Sequence, residues 1–296
     1  MAVPAHVLVL GMGYSGRHLA ALLQAQGIAC SGTVRDPGTA PGTAPDDGLL
    51  RYPLAEGVPV DDVLRTVLQR ADAIVCSVPP EDAGDPALRL LADALHDSPA
   101  LRWVGYLSST AVYADRDGGW VDEQARADAD DATALRRLRA EQQWRAFAQA
   151  RGIASAVFRL PALYGRGRNA LVQLAQGKAR HVVRPGLVFN RLHVEDLAAA
   201  VLAAMRRPQG HALYLPADDA PAPPQDVLAH AALLSGLPLP AAQAWDDPAL
   251  PASLRRFYAS NKRIDSRGTR AALQWQPRFA TYRDGLADAW ANGDGR

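Results

Sequence analysis

Short apolar runs separated by amphipathic stretches dominate the first half of the chain. Apolar runs at His6–Leu10, Ile28–Val34, Leu49–Leu54, Ala73–Val78, Trp103–Ser108 and Ala154–Leu160 predict six strands. Between them, Arg17–Gln26, Val60–Gln69, Pro86–His96 and Asp131–Ala150 carry helical spacing. Pro86 suits a first-turn position. Strands that alternate with helices call for a parallel sheet covered on both faces, so the expected fold is α/β, a doubly wound Rossmann-like sheet.

On the longest predicted helix, Ala134, Leu138, Ala140, Trp144, Phe147 and Ala148 fall on one broad arc at 100° per residue. Arg136, Arg139 and Gln143 lie opposite, and Leu135 breaks the polar side. Arg137 and Glu141 fall inside the apolar arc, an unusual place for charge. Beyond Tyr164 the character changes to loops with Arg, Gly and Asn, then helices at Val194–Met205 and Gln225–Ser235 around a Pro-rich stretch. The expected organisation is a dinucleotide-binding domain over residues 1–164, with 193–210 packing back on it, and a smaller substrate-facing C-terminal region over 165–296.

The first strand runs into Gly11-Met12-Gly13-Tyr14-Ser15-Gly16, a G-x-G-x-x-G that opens a helix. That strand–turn–helix context makes the motif a dinucleotide fingerprint. Gly11 permits the turn, Gly13 lets the backbone approach a pyrophosphate, and Gly16 lets helix and strand pack closely. The helix N-terminus offers free N–H groups to the same anion. Cofactor choice is read at the end of the second strand, Thr33-Val34-Arg35-Asp36. Arg35 suits a 2′-phosphate and points to NADP, while Asp36 keeps NAD open. The Pro/Gly-rich stretch from Asp36 to Gly48 reads as a mobile loop near the adenosine end.

Composition narrows the class. The chain has 296 residues, of which 48% are hydrophobic, enough for a sizeable core. A net charge of +1 gives no electrostatic case for nucleic acid or an anionic membrane. No run approaches the roughly 20 apolar residues of a membrane span. Cys30 and Cys76 both fall in predicted buried strands and read as packing residues, so the expected compartment is the cytoplasm. There is no zinc-type His/Cys spacing, no G-x-S-x-G elbow and no G-x-x-x-x-G-K-[ST] loop. The acidic stretch Asp128–Asp131 reads as a solvated helix start, not a metal site.

Further segments carry a resemblance. Leu107-Ser108-Ser109-Thr110-Ala111-Val112-Tyr113 follows the fifth strand, and Arg159-Leu160-Pro161-Ala162-Leu163-Tyr164-Gly165 continues the sixth. Arg191-Leu192-His193-Val194-Glu195-Asp196 comes later, then Ser260-Asn261-Lys262-Arg263-Ile264 and Tyr282-Arg283-Asp284-Gly285-Leu286. With the glycine turn, these resemble an extended short-chain dehydrogenase/reductase of the NAD-dependent epimerase/dehydratase group. The resemblance implies a nicotinamide cofactor, a site for a carbonyl or hydroxyl compound such as a nucleotide sugar, and a homodimer paired through the long helix. It also implies cofactor contacts at Tyr14, Ser15, Ser77, Pro79, Pro161 and Arg137, and a substrate-orienting Ser109.

The resemblance breaks at the catalytic set, a Ser or Thr followed by Y-x-x-x-K. Anchored on Glu141, the Tyr position holds Thr133 and the Lys position Arg137. No tyrosine lies between Tyr113 and Tyr164. Thr110 and Ala111 stand where the sugar dehydratases carry Asp and Glu, which argues against 4,6-dehydratase chemistry. A phenol near a cation can be tuned toward working pH, whereas a threonine hydroxyl cannot replace it and an arginine stays protonated. Tyr164 and Tyr113 are the first candidates for the proton donor, and His193 is a third. Arg166, Arg168, Asn169 and His193 are candidates for holding an anionic substrate. The expected activity is an NAD(P)-binding oxidoreductase or epimerase-like step at a non-standard site. The competing expectation is a catalytically silent NADP(H)-binding sensor or scaffold.

Overall fold

A computed structural model describes residues 3–35 and 48–296, apart from the side chains of Ser253 and Arg256. Asp36 and all but the last residue of the Pro/Gly-rich loop lie outside the described residues. In chain order, β1 (His6–Leu10), α1 (Tyr14–Ala25), β2 (Ala29–Val34), β3 (Leu50–Pro53), α2 (Asp62–Arg70) and β4 (Ala73–Cys76) come first. Then come α3 (Pro86–Leu90), α4 (Ala92–His96), β5 (Trp103–Ser109), β6 (Trp120–Val121), α5 (Ala132–Ala150), β7 (Ala154–Leu160) and β8 (Ala162–Tyr164). The later elements are α6 (Ala170–Ala175), β9 (His181–Val183), β10 (Arg191–His193), α7 (Val194–Arg206), β11 (His211–Tyr214) and α8 (Pro224–Ser235). The chain ends with β12 (Ala242–Ala244), α9 (Ala252–Ala259), β13 (Arg263–Ile264), α10 (Arg267–Leu273) and α11 (Tyr282–Ala291).

Seven strands form one sheet in the order β11-β7-β5-β4-β1-β2-β3, every neighbouring pair parallel. The fold is α/β, doubly wound, as the alternating pattern predicts. Period-two alternation splits β1 between two cores. Val7 and Val9 pack toward α1 and α7, while Leu8 and Leu10 pack toward the face covered by α2, α4 and α5. Leu273 and Trp275, near the C-terminus, return to the first of these cores. A separate cluster joins Tyr164 and Leu171 to α8 and α11, and a smaller one gathers Val182, Leu187, Leu250 and Tyr258.

Two elements differ from the pattern reading. The helix expected over Pro86–His96 is two short helices that break at Leu91. The strand expected through Val78 ends at Cys76, because Ser77 turns to donate its hydroxyl to the carbonyl of Gly11 at 2.7 Å. Cys30 and Cys76 are unbridged, and burial raises both thiol pKa values, Cys30 to about 12. Among the described residues no helix is long and apolar enough to cross a membrane.

Candidate active site

In this order β1 lies between β2 and β4, so the topology reverses at the β1/β4 boundary, where open α/β sheets hold ligands beyond their strand ends. The glycine turn lies there. Gly11 has φ +87°, and a Cβ on it would fall 3.0 Å from Ser77 Oγ and 3.2 Å from Val78 Cγ2. Both its backbone conformation and its neighbours therefore require glycine. Gly13 caps α1 with no side-chain acceptor, leaving the first-turn N–H groups of Tyr14, Ser15 and Gly16 open to a ligand. Ser77 and Val78, just beyond the end of β4, face Gly11, and Pro79 follows them in the chain. Thr33 fastens β2 to this turn, its carbonyl accepting from Met12 N at 2.7 Å and its hydroxyl from Gly11 N at 3.1 Å. Arg35, two residues further, is exposed. These features fit the pyrophosphate and ribose of a dinucleotide.

Ser109 ends β5 in register with Leu160 of β7 and is half-buried. Its hydroxyl accepts from Ala111 N at 3.1 Å and starts a single 3-10 turn, Thr110–Val112. Beneath lies a buried polar network that the pattern reading only hinted at. Glu141, the charge inside the apolar arc of α5, accepts from Arg159 Nη2 at 2.7 Å and from Ser108 Oγ at 2.5 Å. Arg159 Nη1 donates to the Tyr113 hydroxyl at 2.9 Å. Tyr113 is 1% exposed, and its hydroxyl in turn faces the carbonyl of Asp122 at 3.4 Å. Burial raises its pKa more than Arg159 lowers it. Arg137 is half-buried on the same helix, its charge reaching the buried hydroxyl of Tyr106. Pro161 is half-buried at the joint of β7 and β8.

A cavity of about 390 Å³ opens beside this edge, lined by Tyr164, Arg168 and Asn169 together with Lys178, Arg180 and Arg191. Phe189, Phe257 and Tyr258 form an aromatic wall, and no carboxylate is among its described lining residues. The loop that carries Arg168 touches the glycine turn. The Tyr14 hydroxyl donates to the Arg166 carbonyl at 3.3 Å, and the Arg168 guanidinium sits 5.3 Å over the Tyr14 ring. Gly165 makes that approach close, since a Cβ there would lie 2.8 Å from Tyr14 Oη. Arg166 and Arg168 are exposed. A smaller cavity of about 220 Å³ lies at the opposite edge of the sheet, under Trp103 and Met205, and shares none of these residues.

The structure gives three candidates interior duties. The Tyr164 hydroxyl donates to the Thr281 carbonyl at 3.2 Å, and burial drives its pKa up. Asn169 is buried and caps α6, accepting from Leu171 N and Val172 N, while its amide donates to Gly165 O and Asp294. His193 is fully buried as the cap of α7, accepting from Glu195 N at 3.3 Å. It packs on Phe279 at 3.9 Å and its pKa falls to about 4 because burial disfavours its charge. A ring so enclosed is not exposed to solvent and is not among the lining residues of the cavity.

The pattern reading missed Lys178, Arg180, Arg191 and Lys262. The clustered bases of Lys178–Arg184 were a visible signal for the first two. Arg191 donates to the carbonyls of Phe189 and Ala222, both at 3.0 Å. Burial raises the neighbouring Asp218 to about 7, with Arg191's charge and nearby backbone N–H groups only partly opposing it. Lys262 Nζ donates to the Tyr113 carbonyl at 2.8 Å and to Ser260 Oγ.

A parallel sheet with a glycine turn at its topological switch point defines a dinucleotide-binding α/β protein. More narrowly, the chain belongs to the NAD dependent epimerase/dehydratase family, whose sequence profile matches residues 7–214. A conserved protein of unknown function from Silicibacter pomeroyi is 38% identical, with 98% of this chain and 99% of that one covered and a TM-score of 0.86. MoeE5 in complex with UDP-glucuronic acid and NAD is 23% identical over 95% of this chain and 96% of its own, with a TM-score of 0.73. The UDP-glucose 4-epimerase of Thermotoga maritima, bound to UDP-glucose, is 14% identical over 97% and 99%, with a TM-score of 0.76. The last two show likeness of fold. No curated protein matches the chain.

Proposed function

We propose that this protein is an NAD(P)-dependent oxidoreductase or epimerase acting on a hydroxyl or carbonyl compound that carries an anionic group, with nucleotide sugars the best-fitting class. The basic cavity carries this reading. Arg168, Lys178, Arg180 and Arg191 line about 390 Å³ with no carboxylate among the described lining residues, beside a turn shaped for a dinucleotide. Guanidinium groups pair with phosphate oxygens in bidentate fashion, and the wall of Phe189, Phe257 and Tyr258 suits a planar base. The nucleotide-sugar complexes of MoeE5 and the Thermotoga epimerase add support by analogy of fold.

In this reading a nicotinamide cofactor held at the turn would supply the hydride chemistry, and the residues of this chain would bind and orient the reactants. Gly11–Gly16 would hold the pyrophosphate, Ser77 and Pro79 would lie on the opposite side, and Arg137 would supply fixed charge to a ribose. Ser109, at the end of β5, orients the reacting oxygen. The exposed Arg35 favours NADP over NAD.

The test is calorimetric titration with NADPH, NADH and UDP as the probe anion, followed by a nucleotide-sugar panel read by product chromatography and nicotinamide absorbance. Binding of a dinucleotide and of UDP, with turnover of one panel member, supports the enzyme. Absence of both binding events overturns it. Thr133 at the start of α5 motivates the second reading, a sensor without turnover. Tight binding of both ligands with no product across the panel selects that one.

A further inference from the structure

The start of α5 offers Thr133 and Arg137, neither able to exchange a proton near neutrality. Tyr113 and Tyr164 have their hydroxyls engaged in the interior. One titratable group is nevertheless brought to the Ser109 turn from a distant part of the chain. Lys262 precedes β13, which pairs in parallel with β6. The segment before it is zipped onto the loop after the turn. Asn261 N donates to Asp115 Oδ1 at 2.6 Å, and Arg116 N and Gly118 N both donate to Asn261 O at 3.0 Å. The ammonium so placed donates to the carbonyl of Tyr113, four residues beyond Ser109 in the same turn. The charged groups around it are Asp115 and Arg116 on that loop, with Asp128 and Asp131 at the start of α5. Asp131 is the cap of α5, two residues before Thr133.

We propose that Lys262 is the group that takes up and returns the hydroxyl proton of the reaction beside Ser109, a role that rests on the dinucleotide-enzyme reading above. Its hydrogen bonds have the right number. Two fixed acceptors, Tyr113 O and Ser260 Oγ, use two N–H groups. A neutral amine keeps both bonds and has its lone pair in the third direction, while an ammonium has its third proton there. The group can therefore change protonation without losing its anchors. Burial lowers its pKa to about 8, with Arg116 acting in the same sense and Asp115, Asp128 and Asp131 opposing. Composition points the same way. The chain has 30 arginines and two lysines, and both lysines stand at this edge, Lys178 on the cavity and Lys262 on the turn. A guanidinium could also donate to the carbonyl of Tyr113 and the hydroxyl of Ser260 but could not release a proton.

In the oxidising direction the substrate O–H bond breaks and its proton passes to the amine of Lys262. The adjacent C–H bond gives its hydrogen and electron pair to the oxidised dinucleotide, and the C–O bond becomes C=O. Reduction reverses each transfer, with the ammonium of Lys262 returning the proton.

The test needs no known substrate. With two lysines, protein labelled with [13C]lysine gives two Cε–Hε resonances, assigned by Lys178→Arg. Titrating the free protein, the NADP+ complex and the NADPH complex compares Lys262 with and without the positive charge of an oxidised nicotinamide ring. A neighbouring charge about 10 Å away shifts a pKa by about half a unit or more. The expected result is a pKa below the ordinary lysine value in the free protein, and lower in the NADP+ complex than in the NADPH complex by about that half unit. A normal lysine pKa, or identical values in two well-formed complexes, overturns the proposal alone. Failure of both dinucleotides to bind overturns the functional reading and this proposal with it.

Discussion

The dinucleotide side of the site is built from backbone, and the cavity side from long side chains. Gly11, Gly13 and Gly16 act through what they lack, and their partners lie nearby in β1, the turn itself, α1, β2 and the residues just after β4. The cations of the cavity reach it from the loop before α6, from residues 178 and 180 after it and from β10, with aromatic groups from Phe189 and α9. A site made of backbone is local in the chain and tolerates little substitution. A site made of scattered side chains is assembled by the tertiary fold, and each member can be removed singly. The two meet where Arg168 lies over Tyr14, and β5 and β7 tie them together: β5 pairs with β4, which ends at the turn, and β7 runs into β8, which carries Tyr164 of the cavity.

That link gives the largest expected effect. Glu141→Ala leaves the guanidinium of Arg159 buried without its carboxylate, which costs about 3–5 kcal/mol when one partner of a buried pair is lost. Urea denaturation should show that loss, and NADPH and UDP binding should weaken together as the folded fraction falls. An unchanged midpoint would mean that the network does not support that link.

Next comes a double dissociation. Gly11→Val places a branched side chain at φ +87° and against Ser77, so NADPH affinity should fall by about 100-fold, or about 2.7 kcal/mol, with UDP affinity retained. Arg180→Ala should do the reverse, costing UDP about 10-fold through one charge-assisted contact. Calorimetric titration of both variants with both ligands checks this. Equal losses on both ligands would erase the distinction between the regions.

The third prediction uses pH. Asp218, raised from 3.8 to about 7, is more readily protonated in the folded state than in the unfolded chain. Its contribution to stability is therefore present in acid and is lost as pH rises through 4 to 7. Asp218→Asn should remove that fall, making the variant more stable than the parent at pH 8 by on the order of 2 kcal/mol, with the gain absent near pH 4. Thermal melts at both pH values decide it. Ionised Asp218 also offsets the charge of Arg191, so UDP should bind the parent more weakly above pH 7 while NADPH binding stays level.

The same contrast explains what could be read from the sequence. The β1–turn–α1 unit was legible because strand period, glycine spacing and helix start all lie within 20 consecutive residues. Glu141 stood out as a charge on an apolar arc, yet its partner Arg159 sits on the next strand and has no local signature. β11, at the edge of the sheet, was not read as a strand because only its pairing with β7 marks it. His193 has the residue type of a catalyst and the position of a helix cap, and in the structure it accepts from Glu195 N and packs against Phe279. Lys262 sat inside a segment recognised for its resemblance, but only β13 pairing with β6 brings it to Tyr113.

The smallest effect concerns a place where the backbone-built side uses a long side chain. Arg35 follows β2 directly, and Thr33, two residues earlier, is tied to the glycine turn through both its carbonyl and its hydroxyl. The strand end is thus fixed relative to the turn, and the guanidinium can reach outward from a rigid base. Because Arg35 is exposed, water and salt screen its pairing with a 2′-phosphate, so its contribution should be about 1 kcal/mol. Arg35→Ala should weaken NADPH by about fivefold and leave NADH unchanged, and the NADPH advantage of the parent should shrink as salt is raised. A parent that binds NADH as tightly as NADPH removes the NADP preference and takes Arg35 out of the cofactor site.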